Sequence, residues 1–241
     1  MRNSSLSRAT KKTTGIGRTE IMSIFGRLPL LTVFVRFMQN GAVATNTFQI
    51  TLNEFGTIYK VDVSPSVIAG LADCAESDLI DYQLYKQSSM IIDYVVDKAN
   101  YPHLKTFMFE NSFGGHETFH CLGEQEEERK WARETGFVFE NKILISRELE
   151  NRKTINTGYI KREMIGVLED LINSKKVAVL ENNRLIDVVI LEESFKVTNR
   201  REDLIAVEFT YQTANQNQMR FNYNPQSMFQ VFSDEFNETF G

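Results

Sequence analysis

Residues 177–191 read Val-Ala-Val-Leu-Glu-Asn-Asn-Arg-Leu-Ile-Asp-Val-Val-Ile-Leu. Two runs of β-branched and aliphatic residues flank Asn182-Asn183, and Asn tolerates the positive φ that a two-residue type I′ turn demands. The spacing predicts a tight hairpin, 177–181 against 184–191. Upstream, Ile160, Met164, Val167, Leu168 and Leu171 recur at i, i+4, i+7, i+8 and i+11, which is one apolar stripe. That stripe predicts a helix over 158–175, with Lys161, Arg162, Glu169 and Asp170 largely off the apolar side. Asn156 or Thr157 is placed to cap its start. Lys175 and Lys176 suit the negative end of its dipole, and Gly166 weakens it without breaking it. Downstream, 204–212 alternates Ile205, Val207, Phe209 and Tyr211 against Ala206, Glu208 and Thr210, as a strand does. One helix across a small antiparallel sheet is the expected unit. The fold class is β-rich α+β, built of antiparallel sheets or β-sandwich modules with one main amphipathic helix.

Further toward the N-terminus the strand pattern continues. Residues 30–37 (LLTVFVRF), 47–52 (TFQITL), 57–63 (TIYKVDV), 89–96 (SMIIDYVV) and 105–110 (KTFMFE) are rich in β-branched and aromatic residues. Asn53–Gly56 reads as a hairpin turn between the second and third of these. Ser64-Pro65 opens a short helix through Leu71, because Pro is tolerated in a first turn. Asn111–Gly115 is a turn, and 137–149 suits one long strand or two short ones.

The 241 residues carry 27 Lys and Arg against 32 Asp and Glu, a net charge of −5 that excludes a generally basic nucleic-acid coat. Hydrophobic residues at 42% and charged residues at 24% exclude a disordered chain. Eighteen Phe lean the composition toward strands. Cys74 and Cys121 are too few for a disulfide framework and are read as reduced thiols. The most apolar stretch, 28–38, contains Arg36 and is too short to span a bilayer, so no membrane partner is expected. Arg2, Arg8, Lys11, Lys12 and Arg18 stand against Glu20 alone at the start of the chain. This resembles a transit peptide only superficially, and a flexible basic arm over 1–25 is expected.

The organisation that follows is an arm over 1–25, a β-rich domain over 26–104, a β-sandwich-plus-helix domain over 105–213 and a tail over 214–241. The tail carries an Asn/Gln-rich stretch and then a short amphipathic helix with Met228, Phe229, Phe232 and Phe236 on one stripe. Those four residues and the lone Trp131 are the candidate interface residues. Trp131 sits beside an acidic run, Glu124–Glu128, that is answered by Arg129, Lys130 and Arg133. That run reads as a salt-bridged helix face or an exposed loop.

One stretch has the spacing of a catalytic motif: His116-Glu117-Thr118-Phe119-His120, or H-E-x-x-H. On a helix, His116 and His120 would present two nitrogens to one Zn²⁺, and Glu117 would act as general base on the metal-bound water. The context opposes a helix, since Gly114-Gly115 precede the motif and Gly123 follows it. On a strand, Glu117, Phe119 and Cys121 would face one way and His116, Thr118 and His120 the other. The expected reading is a strand with incidental histidines, no metal, no cofactor and no catalytic residue. No nucleotide-binding glycine motif and no Ser/His/Asp arrangement stands out.

The segments 109–119 and 156–211 resemble phage and prophage structural proteins of gut Bacteroidetes. The likeness runs from Phe109-Glu110-Asn111-Ser112-Phe113-Gly114-Gly115 through Thr157-Gly158-Tyr159, Asp170–Ser174, Val177–Leu180 and Val207–Tyr211. It lies in apolar positions and turns, and is similar to the modules of tail tubes, distal tail proteins and baseplate hubs. The resemblance implies a non-enzymatic virion subunit, made in the bacterial host cytoplasm. It would assemble into a homo-oligomeric ring with neighbouring tail proteins as partners. A zinc metallopeptidase on 116–120 and a receptor- or glycan-binding adhesin are the alternatives.

Overall fold

Asn182 and Asn183 both adopt positive φ, 50° and 59°, and the hairpin they close lies inside a seven-stranded sheet. The computed structural model describes residues 7, 9–25, 30–51, 58–138, 141–201 and 204–214. In chain order the strands are β1 (Lys11–Gly15), β2 (Ile21–Phe25), β3 (Leu30–Gln39), β4 (Ala42–Thr51) and β5 (Ile58–Asp62). Helix α1 (Pro65–Ala72) follows, then β6 (Leu79–Lys86), β7 (Ser89–Asp97), β8 (Lys105–Glu110) and β9 (His116–Cys121). After these come β10 (Gln125–Val138), β11 (Asn141–Lys161), α2 (Ile165–Asn173), β12 (Val177–Glu181), β13 (Arg184–Arg201) and β14 (Leu204–Thr213). The protein is a β-rich α+β fold, as expected from the sequence.

The strands form a five-stranded sheet in the order β1-β7-β6-β3-β4, a seven-stranded sheet in the order β10-β11-β14-β13-β12-β8-β9, and a β2–β5 pair. All pairings are antiparallel except β1 with β7. Two apolar clusters result. One gathers Leu31, Val33, Val35, Ile68, Tyr82, Leu84, Ile92 and Tyr94 from the first half, with the Tyr82 and Tyr94 rings stacked at 4.9 Å. The other gathers Phe107, Phe119, Val167, Leu171, Val179, Phe209 and Tyr211, where Phe107 meets Phe209 at 5.5 Å and Tyr211 edge-on at 5.2 Å. Cys74 packs against the first cluster and Cys121 lies within the second; both are free thiols.

Several expectations change. Residues 1–25 are not a flexible arm where the structure describes them. Lys11–Gly15 pairs with β7, Ile21–Phe25 pairs with β5, and Ala9 is buried in the second cluster. Alternation had no room to show in strands of five residues separated by a turn. The hairpin expected between 47–52 and 57–63 is not formed, since β4 pairs with β3 and β5 pairs with β2. The β3–β4 turn is Asn40-Gly41, both at positive φ (53° and 80°), which is the strongest short hairpin pair a sequence can carry. From Gln125 onward the acidic run is neither helix nor loop but the start of β10.

The helix expected from residue 158 begins only at Ile165, after a 3₁₀ turn over Arg162–Met164. Tyr159, Ile160 and Lys161 are strand, paired with Ala206, Ile205 and Leu204. A bulge between Asn156 and Tyr159 carries Gly158 at φ 69°, so the proposed capping residues do other work. Thr157 Oγ1 accepts the Val207 N–H at 3.0 Å, and Asn156 Oδ1 accepts that of Gly158 at 2.8 Å. Ile160 still packs against the second cluster, from a strand. The apolar spacing therefore reports burial correctly and the element wrongly.

Candidate functional site

The H-E-x-x-H stretch is strand β9, at the end of the seven-stranded sheet. At a rise of about 3.3 Å per residue, the Cα atoms of His116 and His120 stand roughly 13 Å apart. Glu117 points to the opposite face of the strand. The arrangement that a helix would give, two imidazoles on one ion and a carboxylate beside them, is not formed. Among the described residues no three His, Cys, Asp or Glu converge as a metal site.

Each motif residue is instead engaged by the N-terminal segment, which wraps β9 from both sides. On one side Glu117, 1% exposed, pairs with the Lys12 ammonium, itself 4% exposed. The other Glu117 oxygen accepts the Asn111 amide at 3.1 Å, and the Ser7 hydroxyl donates to the first. On the other side His120 Nε2 meets Glu20 Oε1 at 2.7 Å, and its Nδ1 meets Thr106 Oγ1 at 2.9 Å. The Thr118 hydroxyl donates to Glu20 Oε2 at 2.8 Å and accepts the Ile21 N–H at 3.2 Å. The His116 backbone N–H donates to Ser23 Oγ at 2.7 Å. Strand β2 thus meets the outer side of β9 through side chains rather than a ladder, with the His116 N–H taken by Ser23.

Within this seam the Lys12 ammonium pairs with Glu117 and lies close enough to act on Glu20, which itself meets the His120 ring. Burial alone would push the Glu20 carboxyl up. The His120 charge and hydrogen bond, Lys12 and the Thr118 hydroxyl outweigh it and hold Glu20 below the ordinary carboxylate value. Burial raises the Tyr94 hydroxyl well above its usual value, with Glu20 adding to the effect, so Tyr94 stays neutral. His116 is half-buried. Burial and the nearby Lys60 lower it below 6.5, against a smaller upward pull from Glu110. This buried cluster joins the N-terminal segment to β9 through charged and neutral hydrogen bonds.

Of the other candidate residues, Trp131 lies in β10 opposite Leu149 in register. Met228, Phe229, Phe232 and Phe236 lie outside the described residues. Sequence reasoning missed Lys12, Glu20 and Asn111, which complete the seam. The basic character of 1–25 was visible, but nothing in the order of residues told Lys12 apart from Lys11, whose partner Asp93 is 3.5 Å away at the surface. The chain matches no family model and no curated protein.

Proposed function

We propose that this chain is a non-enzymatic structural subunit that acts by being built into a larger assembly. A tailed-phage tail component, whether distal tail, tail tip or baseplate hub, is the setting its sequence resembles. One observation carries the reading: β10 and β11 form a ribbon that outruns its sheet. Among the described residues, 141–151 of β11 pair only with β10, while β14 joins β11 from Arg152 onward. At about 3.3 Å per residue the ribbon projects on the order of 35 Å. A two-stranded ribbon is marginal by itself in water, so a projection of this length supports a role in contacting a neighbour. The internal engagement of His116, Glu117 and His120 supports the same reading over a catalytic one.

Size-exclusion chromatography with light scattering and negative-stain imaging tests it, together with co-purification against tail proteins from the same genome. Closed rings, or a stable complex with one of those proteins, are expected. A monomer at all concentrations that binds none of them would overturn the proposal.

A further inference from the structure

We propose that two copies of this chain pair antiparallel through their β4 edges, about a two-fold axis at Asn46, to make one continuous ten-stranded sheet. The inference goes beyond the assembly reading above and does not rest on it.

Edge strands invite pairing, and proteins ordinarily blunt them with charge, proline or a bulge. Strand β4, Ala-Val-Ala-Thr-Asn-Thr-Phe-Gln-Ile-Thr over residues 42–51, has none of these. It runs ten residues against β3 without a register shift, and no described strand lies on its other side. The other edges of the two larger sheets differ. β10 carries Glu126, Glu127 and Glu128 followed by Arg129 and Lys130, β9 is engaged by β2, and β1 is five residues with two lysines.

The Asn40-Gly41 turn fixes which groups β4 offers. In a two-residue hairpin the flanking pair, Gln39 and Ala42, exchanges both hydrogen bonds. Even-numbered residues therefore point their N–H and C=O groups at β3, and odd-numbered ones point theirs at the free side. The Thr47 N–H agrees: it donates to the Asn46 side chain at 2.8 Å, at the surface.

An antiparallel pair of identical strands about a two-fold axis must place one residue opposite itself. With Asn46 at that place the strand is self-complementary. Thr45 stands opposite Thr47 of the second copy as a hydrogen-bonded pair, the Thr47 N–H leaving the Asn46 side chain for the Thr45 carbonyl, and Asn46 meets Asn46. On the core side small residues oppose large ones: Ala44 meets Phe48 and Ala42 meets Ile50. Ala44, Phe48 and Ile50 are only half-buried against the first apolar cluster, so pairing would extend that cluster across the axis. No charge faces a like charge anywhere along the ten residues. Val43, 59% exposed, and Leu71, 51% exposed, add apolar surface, the latter beside the Ala72 carbonyl that Asn46 reaches at 3.4 Å.

Cysteine cross-linking of the full chain tests the register. In a non-hydrogen-bonded pair the self-opposed Cα atoms are about 4.5 Å apart, within disulfide reach. Asn46→Cys is expected to give an intermolecular disulfide under mild oxidant, while Ala44→Cys and the parent do not. The charge test needs no disulfide. T45K/T47K sets lysine against lysine twice and should weaken the dimer about tenfold or more by light scattering; T45K/T47E sets lysine against glutamate and should restore it. Circular dichroism checks that each variant folds. A parent that is monomeric at high micromolar concentration, equal cross-linking at 44 and 46, or a T45K/T47E chain as monomeric as T45K/T47K would each overturn the proposal. A dimer without rings leaves this inference standing and the ring reading not; rings without a 46–46 cross-link do the reverse.

Discussion

Strand β9 ends the seven-stranded sheet and β4 ends the five-stranded one. The outer side of β9 is met by β2, its N–H at residue 116 is taken by Ser23, and Glu117, Thr118 and His120 are engaged by Lys12 and Glu20. The outer side of β4 carries only neutral side chains. Both are edges by topology, and only one remains an edge by chemistry. The difference teaches how this chain spends its polar residues. Lys12, Glu20 and Glu117 bury their charge where one segment of the chain must be told which strand to join. Where pairing would be with an identical surface, charge is left out, since any charge opposite itself would repel.

The strongest way to break the contrast is Lys12→Met. It leaves Glu117 buried without its cation, and removing one partner of a buried pair costs about 3–5 kcal/mol. The loss is read as a lower midpoint in urea unfolding with an unchanged slope. The double variant Lys12→Met/Glu117→Gln should recover part of it, because the uncompensated charge is gone. A loss under about 1 kcal/mol for Lys12→Met would mean the seam is not held by ions.

Thr118→Val is next. The hydroxyl both donates to Glu20 and accepts from Ile21. The isosteric change leaves a buried N–H and a carboxylate oxygen short of a partner, at about 1–3 kcal/mol. The effect should fall on β2 and β9 together: amide exchange should quicken at 21–25 and 116–121 and stay unchanged in β6 and β7.

Acid should loosen the same edge by a smaller, graded amount. His116 sits below its ordinary value of 6.5, so the unfolded chain binds the proton more readily than the folded one. Stability is then full above pH 6.5 and declines as pH falls toward the folded value. Glu20, held below 4.5, adds a second decline beneath that pH, since its stabilising charge is lost as pH falls through its folded value. Urea midpoints measured from pH 8 to pH 4 check the sign, and His116→Asn should flatten the upper part of the slope. A midpoint that rises on acidification would contradict both assignments.

What was legible beforehand follows from how local each cause is. The 177–191 hairpin, the alternation of 204–212 and the strand state of 116–120 depend on near neighbours, and the sequence reading placed them correctly. The β3–β4 hairpin was equally local, but the sequence reading passed over Asn40-Gly41 and placed a turn at 53–56 instead. The seam was not local. Lys12 and Glu117 are 105 positions apart, and no periodicity marks a lysine that will be buried. Helix α2 failed at its start for an intermediate reason. Ile160 fits the apolar stripe, but pairing of 159–161 with 204–206 outcompetes helix there, and Gly158 at positive φ breaks the run. The same glycine explains the local crowding. A Cβ at 158 would meet the Leu122 Cβ at 3.2 Å, and one at Gly123 would meet the Asn156 carbonyl oxygen at 2.8 Å.

The smallest effect is expected at Gln49. Gln49 lies on β4 with its side chain exposed and its N–H turned to the free side. Gln49→Lys removes no internal bond and creates no cavity. Unfolding measured at low protein concentration should therefore shift by less than about 0.5 kcal/mol. A charge of the same sign on β9, at Phe119, would sit in the second apolar cluster and abolish folding. If Gln49→Lys instead cost as much as Thr118→Val at low concentration, the outer side of β4 would already be covered within one molecule, and its neutral sequence would be a core feature rather than a surface awaiting its own copy.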